Sequence, residues 1–181
     1  MNTTVISYPE RNPRDRVWGA NNYPGNCSGK VGLGFIDKLG ADSMFELCAG
    51  SGTNYDMCKD YDITYCGVDL NPNPVRPGIK SMDITDFTQE FPDEIRFADM
   101  VFSHMPYPGI NRIKYSNVAW KDTANLAERD IQNMSFEKGM LEINKAHMRA
   151  YHAMKPGAFM VMLVGEIRNN GKFYSMNQAL C

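Results

Sequence analysis

Short apolar blocks alternate with amphipathic segments along this chain. Blocks rich in β-branched and aromatic residues predict five strands, bounded by turn residues. They are SMFELCA (43–49), ITYCGVDL (63–70), GIKSMDIT (78–85), FADMVFSH (97–104) and KPGAFMVMLVGEI (155–167), whose apolar run AFMVMLV (158–164) predicts a buried strand. Because helical patterns separate the strands, we expect an α/β fold with a mostly parallel sheet covered by helices on both faces.

Three segments carry the capping residues and the periodicity of helices. The first, CSGKVGLGFIDKLGAD (27–42), has Ser28 as its N-cap and Gly40 to close its end. A second helix is predicted at 53–60, and the third and strongest at 135–154. The predicted buried stripe of this third helix consists of Phe136, Met140, Ile143, His147, Tyr151 and Met154.

The remaining segments have no regular pattern. Residues 1–25 are polar and predict an irregular N-terminal arm, and residues 111–130 predict a loop or lid. The segment RNNGKFYSMNQALC (168–181) is expected to be mostly loop. We predict one domain over residues 1–181, since a chain of this length suits a single sizeable core.

Composition excludes several classes of protein. A hydrophobic content of 43% and a charged content of 22% are ordinary for a folded protein, and no segment is long and apolar enough to suggest a membrane span. The N-terminus lacks the apolar core of a signal peptide, so we expect a cytoplasmic protein. Five cysteines without a Cys-x-x-Cys pair argue against a zinc site. A net charge of −2 argues against tight, independent binding to nucleic acid.

The stretch FELCAGSGTN (45–54) is typical of a ligand-binding turn after a strand. Gly50 and Gly52 allow a ligand to approach the backbone closely, and Asp69 ends the next strand, where its carboxylate can accept hydrogen bonds from a ribose. Dinucleotides and S-adenosylmethionine are both bound in this way, but the third glycine of the dinucleotide pattern is missing. An ordinary strand-turn-helix without a ligand remains an alternative.

Five motifs in order resemble those of S-adenosylmethionine-dependent amino-methylating DNA methyltransferases. The segment before the first motif is GNCSGKVG (25–32), and ELCAGSGT (46–53), GVDLNP (67–72), SMDITD (81–86) and SHMPYP (103–108) follow. The resemblance covers roughly residues 20–166. It implies a Rossmann-like methyltransferase fold, S-adenosyl-L-methionine as cofactor and DNA as substrate.

The resemblance also implies roles for individual residues. Asp69 would meet the ribose, Asp83 the adenine amino group and Ile84 the adenine ring. The start of the helix near Ser28 would face the methionine carboxylate, a role that suits a helix N-terminus. The implied cofactor-binding residues are Asn26, Ser28, Glu46, Cys48, Ala49, Gly50, Ser51, Gly52, Asp69, Leu70, Asp83 and Ile84.

The last motif implies the catalytic residues His104, Met105, Pro106 and Tyr107. In the family, the first side chain and the carbonyl of the second residue accept hydrogen bonds from the target amine, and the aromatic ring stacks on an extruded base. Two positions depart from the family pattern. Met105 replaces a proline, although only its carbonyl is needed. His104 replaces Asp, Asn or Ser, and only a neutral imidazole can accept a hydrogen bond.

The resemblance leaves alternatives open. The fold normally adds an antiparallel hairpin after the fifth strand, and the short tail predicts either a smaller sheet that lacks these two strands or a shortened chain.

The implied reaction is methylation of an exocyclic amine of DNA, with adenine N6 favoured. A non-catalytic S-adenosylmethionine-binding protein and a methyltransferase acting on RNA or protein remain alternatives. Sequence selectivity would require loops, a specificity partner or a second copy of the chain. The segment NRIKYSNVAWKD (111–122) suits either contacts with nucleic acid or a lid.

Overall fold

The computed structural model describes residues 8, 10, 12–13, 16–109, 115–116, 119–121, 123–169 and 171–180. The helices in these residues are α1 (Gly29–Leu39), α2 (Thr53–Asp60), α3 (Phe136–Ala153) and α4 (Met176–Ala179). The strands are β1 (Ser43–Leu47), β2 (Thr64–Asp69), β3 (Ile79–Ser81), β4 (Met100–Ser103), β5 (Phe159–Met162), β6 (Glu166–Asn169) and β7 (Lys172–Ser175). No helix of the described residues combines the length and the apolar character that are needed to cross a membrane.

The first five strands form one parallel sheet in the order β3-β2-β1-β4-β5. β1 lies at its centre, where Glu46 is paired with Gly67 of β2 on one side and with Phe102 of β4 on the other. β2 and β3 lie on one side of β1, whereas β4 and β5 lie on its other side. Such a switch in strand order, here between β1 and β4, opens a crevice at the carboxyl ends of the strands. The predicted parallel α/β sheet is confirmed.

Helices cover both faces of the sheet, as predicted. Alternate residues of β1 point to opposite faces, so Met44 packs with Met57 of α2 and Ile36 of α1, whereas Phe45 packs in the layer that contains α3. Both layers exclude water from the sheet, because Met44 and Phe45 are almost fully buried.

The predicted helix ends are confirmed, but one residue of the predicted α3 stripe is exposed. Ser28 Oγ accepts a hydrogen bond from Lys30 N at 3.2 Å, and Gly40 ends α1 with a φ of 63°. Tyr151 is 64% exposed, and the small side chains of Ala146 and Ala150 lie on the buried face instead. Tyr151 follows Ile143 by eight residues, which turns the helix about 80° past two full turns.

The prediction that the longest apolar run forms a buried strand is wrong. β5 is hydrogen-bonded only to β4 and forms an edge of the sheet in the described part of the chain. Phe159 is 48% exposed and Met162 is 43% exposed. An apolar run therefore indicated a strand here, but it did not indicate its position in the sheet.

The tail was predicted to be mostly loop, and the structure corrects this prediction, because β6 and β7 form an antiparallel hairpin in which Asn169 pairs with Lys172. The alternative of a smaller parallel sheet that lacks these two strands agrees with the five strands described in it. Gly171 has a φ of 75°, which fits the Asn-Gly turn signal in the sequence. The hairpin forms a sheet of its own and does not extend the parallel sheet. Ile167 of β6 and Met176 of α4 are buried in the layer that contains α3.

The segment from residue 16 to residue 27 has no regular structure, as predicted, but it is packed onto the domain. Trp18 is 2% exposed, and its Nε1 donates a hydrogen bond to Asp60 Oδ2 at 2.7 Å. Gly19 N donates to Asp56 Oδ2, the carboxylate that also holds Arg76. Two acidic residues of α2 thus fasten this segment beside the glycine turn.

Candidate active site

A cleft of about 770 Å³, part of it open to solvent, lies at the carboxyl ends of the parallel strands. Its wall includes residues that follow β1, β2 and β4, together with residues after β3. Parallel strands end at the same edge of their sheet, so segments distant in the sequence meet there. Segments 23–27 and 129–131, together with Thr53, Tyr115 and Trp120, form the rest of the described wall.

The turn after β1 has an unusual backbone conformation. Cys48, Gly50 and Gly52 have φ values of 58°, 53° and 76°, and a positive φ is costly for cysteine. Gly52 N donates to Ala49 O at 3.0 Å, which closes the turn in front of α2. A Cβ built on Gly50 would lie 3.2 Å from Cε1 of Tyr23, so the missing side chain admits this ring over the turn.

Asp69 connects the glycine turn to the end of β2. Its Oδ2 accepts a hydrogen bond from Gly50 N at 2.7 Å, and its Oδ1 accepts one from Asn71 N at 2.9 Å. A carboxylate has about four acceptor positions, so each oxygen keeps capacity for a further donor. Burial raises the pKa of Asp69, although the two backbone donors oppose this effect. A buried acceptor with unused capacity therefore lines the cleft.

Glu46 lines the cleft, but both oxygens of its carboxyl group accept hydrogen bonds from other side chains of the protein. Oε1 accepts a hydrogen bond from Asn54 Nδ2 at 2.6 Å, and Oε2 accepts one from the Tyr65 hydroxyl. Complete burial raises the pKa of Glu46 to about 8, and the hydrogen bonds from Tyr65 and Asn54 only partly oppose it. Glu46 is therefore mostly protonated at neutral pH, and it holds α2 and β2 together beneath the turn.

Asn26 and Ser51 hold the N-terminal segment on the glycine turn. Ser51 Oγ donates to Asn26 Oδ1 at 2.8 Å and accepts from Ala20 N at 3.2 Å. Asn26 Nδ2 in turn donates to Ala20 O at 2.6 Å. Asn26 lines the cleft, whereas Ser51 lies below it and acts on the cleft through these contacts. Ser28 caps α1 and is outside the wall, although the adjacent Cys27 is part of it.

Asp83, which follows β3, is held by two neighbours. Its Oδ1 accepts hydrogen bonds from the backbone and hydroxyl of Thr85, and its Oδ2 is 3.2 Å from Nη1 of Arg129. The ion pair is asymmetric, since the Arg129 side chain is 54% exposed and that of Asp83 is 6% exposed. Asp83 and the adjacent Ile84 both line the cleft.

The four predicted catalytic residues are adjacent in sequence but have different surroundings. His104 and Pro106 line the cleft. Met105 is 3% exposed, and its Sδ is 3.4 Å from Cys48 Sγ, so its side chain packs below the turn. The Tyr107 hydroxyl is 3.5 Å from His104 Nε2, outside the cleft wall. Burial lowers the pKa of His104, which keeps its imidazole neutral at neutral pH.

An aromatic cluster of Tyr23, Tyr115 and Trp120 forms another part of the cleft wall. Tyr115 and Trp120 are stacked with ring centroids 5.9 Å apart, and Trp120 Nε1 donates to the Tyr23 hydroxyl at 3.0 Å. Nearby, the buried Asp130 accepts hydrogen bonds from the backbone and hydroxyl of Ser116. Sequence reasoning noted Tyr115 and Trp120 as lid residues but missed Tyr23 and Asp130. Tyr23 lies just before the GNCSGKVG segment, which is a usable signal, whereas nothing in the sequence marks Asp130.

The structure thus brings most of the predicted site residues into one cleft. Those that line it are Asn26, Glu46, Cys48, Ala49, Gly50, Asp69, Leu70, Asp83, Ile84, His104 and Pro106. Those outside its wall are Ser28, Ser51, Gly52, Met105 and Tyr107. The basic residues Arg112 and Lys114 of the predicted lid lie outside the described residues.

No group of three or more His, Cys, Asp or Glu side chains in the described residues is arranged to hold a metal ion. Comparisons with protein-family models, with curated proteins and with solved structures gave no significant match.

Proposed function

We propose that the chain is an S-adenosylmethionine-dependent methyltransferase with a Rossmann-like methyltransferase fold. It transfers a methyl group to an exocyclic amine of DNA, with adenine N6 favoured. The observation that carries the proposal is the hydrogen bond of 2.7 Å between Gly50 N and Asp69 Oδ2, in a cleft that His104 also lines. This bond links the glycine turn to the acidic residue that would bind the ribose.

The residues of the cleft fit this cofactor. The unused acceptor positions of Asp69 suit the two hydroxyl groups of a ribose, since each hydroxyl can donate one hydrogen bond. Ile84 and Leu70 supply apolar surface for an adenine ring, and Asp83 can accept from its amino group. The methionine part would lie toward Asn26 and the start of α1, where the positive end of the helix dipole favours a carboxylate.

When bound, S-adenosylmethionine supplies an electrophilic methyl group. The protein must then hold the acceptor amine with its lone pair directed at that methyl. Neutral His104 can accept one N–H of the amine, and the carbonyl of Met105 can accept the other. Pro106 biases Met105 toward an extended backbone, which favours presentation of that carbonyl. Two acceptors fixed in advance would favour the charge that develops on the amine during transfer.

Two observations favour the alternatives, which are a cofactor-binding protein without catalysis and a methyltransferase with a different acceptor. Tyr107, which would stack on an extruded base, lies beside His104 and outside the cleft wall. The net charge of −2 gives little electrostatic attraction to DNA. The acceptor could therefore be RNA or protein, or the chain could act by binding a partner.

Methyl transfer from labelled S-adenosylmethionine to DNA, RNA and protein acceptors separates these candidates. We expect label in DNA, and loss of at least about tenfold in rate for His104→Ala, because one acceptor for the amine is removed. The exposed His152→Ala variant is the matched control and should transfer at the parent rate. Label only in RNA or protein would change the substrate, and cofactor binding without any transfer would favour the non-catalytic protein.

A further inference from the structure

Acidic side chains outnumber basic ones in the wall of the cleft. Asp69, Asp83 and Asp130 line it, and Arg129 is the only lysine or arginine in its described wall. Arg129 Nη1 lies 3.2 Å from Asp83 Oδ2 and 4.0 Å from Asp86 Oδ2, so two carboxylates already share its charge. The charges in the wall therefore do not balance, and they favour a cationic ligand.

The two carboxylates that have no cationic partner among the described residues are fixed in place. Asp69 is 5% exposed and Asp130 is 1% exposed. Each is held by backbone N–H donors, from Gly50 and Asn71 to Asp69 and from Ser116 and Gln132 to Asp130. Burial is the main cause of the raised pKa of Asp69, and the negative charge of Asp130 adds to it, so the two groups repel each other within the cleft. A positive charge placed between them would relieve this repulsion.

The aromatic cluster acts in the same direction. Tyr23, Tyr115 and Trp120 line the cleft with the acidic side chains. Their ring faces carry negative partial charge, and a cation near such a face is attracted even though the ring itself is uncharged. The hydrogen bond from Trp120 Nε1 to the Tyr23 hydroxyl and the stacking of Tyr115 on Trp120 hold the three rings together.

We infer that the cleft selects its ligand by charge and binds S-adenosylmethionine more tightly than S-adenosylhomocysteine, its product. This inference rests on the proposed function. The two compounds differ by a methyl group and by the positive charge of the sulfonium, which becomes a neutral thioether after transfer. Loss of that charge removes its attraction to Asp69, Asp130 and the aromatic cluster. The product therefore leaves readily and inhibits the protein only weakly.

Calorimetric titration with three probes tests this selection in the full chain. The probes are S-adenosylmethionine, S-adenosylhomocysteine and an analogue with an ammonium group in place of the sulfonium. We expect both cationic probes to bind about five- to tenfold more tightly than S-adenosylhomocysteine, the size of effect that one charge gives in a partly hydrated site. Equal or tighter binding of S-adenosylhomocysteine would overturn the inference.

The variant Asp130→Asn assigns the effect to the acidic side chains. Asparagine keeps one oxygen that can accept from Ser116, and it removes the charge together with the acceptor for Gln132 N. The ratio of the dissociation constant of S-adenosylhomocysteine to that of S-adenosylmethionine should therefore fall about two- to threefold. Asp37→Asn makes the same change at an exposed position of α1 and should leave the ratio at the parent value. An unchanged ratio in a folded Asp130→Asn protein overturns the electrostatic explanation. If that variant does not fold, the ratio in the parent protein remains the deciding measurement.

The two proposals fail in different ways. If none of the three probes binds, the proposed function is wrong and the charge selection falls with it. If all three bind with the same affinity, the cofactor site stands and only the charge selection is overturned.

Discussion

Replacement of Glu46 by glutamine should remove a dependence of stability on pH. Burial raises the pKa of Glu46 from 4.5 to about 8 in the folded protein. Between these values the folded protein keeps a proton that the unfolded chain releases, so the free energy of unfolding falls as the pH rises. At about 1.4 kcal/mol for each pH unit, the full fall is about 5 kcal/mol, and about 3 kcal/mol of it lies between pH 5.5 and pH 8.

Urea unfolding of the parent and of Glu46→Gln between pH 5.5 and pH 8 measures this effect. The amide keeps the shape of a protonated carboxyl group, so the variant should gain about 3 kcal/mol over the parent across this range. Glu90→Gln, at an exposed position, serves as control and should follow the parent within about 0.5 kcal/mol. The reasoning would be refuted if the free energies of unfolding of Glu46→Gln and the parent differed by the same amount at every pH. Glu46 would then be ionised in the folded protein across this range.

Three further predictions concern the other side chains near the strand ends. His147 Nε2 lies 2.7 Å from Ser103 Oγ, and burial lowers its pKa from 6.5 to about 4. Between pH 6.5 and pH 4 the unfolded chain takes up a proton on His147 that the folded protein does not, so the free energy of unfolding of the parent falls by about 3 kcal/mol as the pH is lowered. The variant His147→Gln should lack this fall when urea unfolding is repeated over the same range. Because burial lowers the pKa of His104, the rate of methyl transfer should fall in acid only below the pH range in which an unperturbed imidazole takes up its proton, and His104→Asn should remove this fall. Coincident pH–rate profiles would exclude His104 as the acceptor. Tyr107→Ala should lower the rate of transfer to DNA about tenfold or more with little change in cofactor affinity, whereas Tyr107→Phe should stay near the parent rate; an unaffected rate in the alanine variant would exclude base stacking.

Hydrophobic periodicity was sufficient to predict the central sheet. Strands β1 to β5 are short apolar blocks between helical segments, and such alternation permits few arrangements other than a parallel sheet. The capping residues Ser28 and Gly40 were equally informative, because their side-chain and backbone preferences are local. The meeting of Gly50 and Asp69 followed from the topology, since Asp69 ends β2, Gly50 lies in the turn after β1, and the two strands are neighbours in the sheet.

Features that depend on contacts between distant segments could not be predicted in this way. Phe159 is exposed because β5 forms an edge of the sheet in the described residues. An apolar run predicts a strand, but it does not show whether the strand lies at an edge. Tyr23 and Trp120 meet although 97 residues separate them, and the buried Asp130 accepts a hydrogen bond from Ser116, 14 residues away. The role assigned to Ser51 was also incomplete, since its hydroxyl group is occupied by the N-terminal segment. The hairpin β6-β7 is different, because the Asn-Gly turn was present in the sequence and was not used.

The most direct test of the central claim is calorimetric titration of S-adenosylmethionine into the parent protein and into Asp69→Asn, with Asp37→Asn as control. Asp69→Asn replaces one of the two acceptor oxygens and removes the charge, so we expect binding to weaken by about 1.5–3 kcal/mol, roughly 10- to 150-fold. The far-ultraviolet circular dichroism of the variant should match that of the parent. No binding to the parent, or equal affinity of the parent and a folded Asp69→Asn protein, would contradict the assignment of this cleft as the cofactor site.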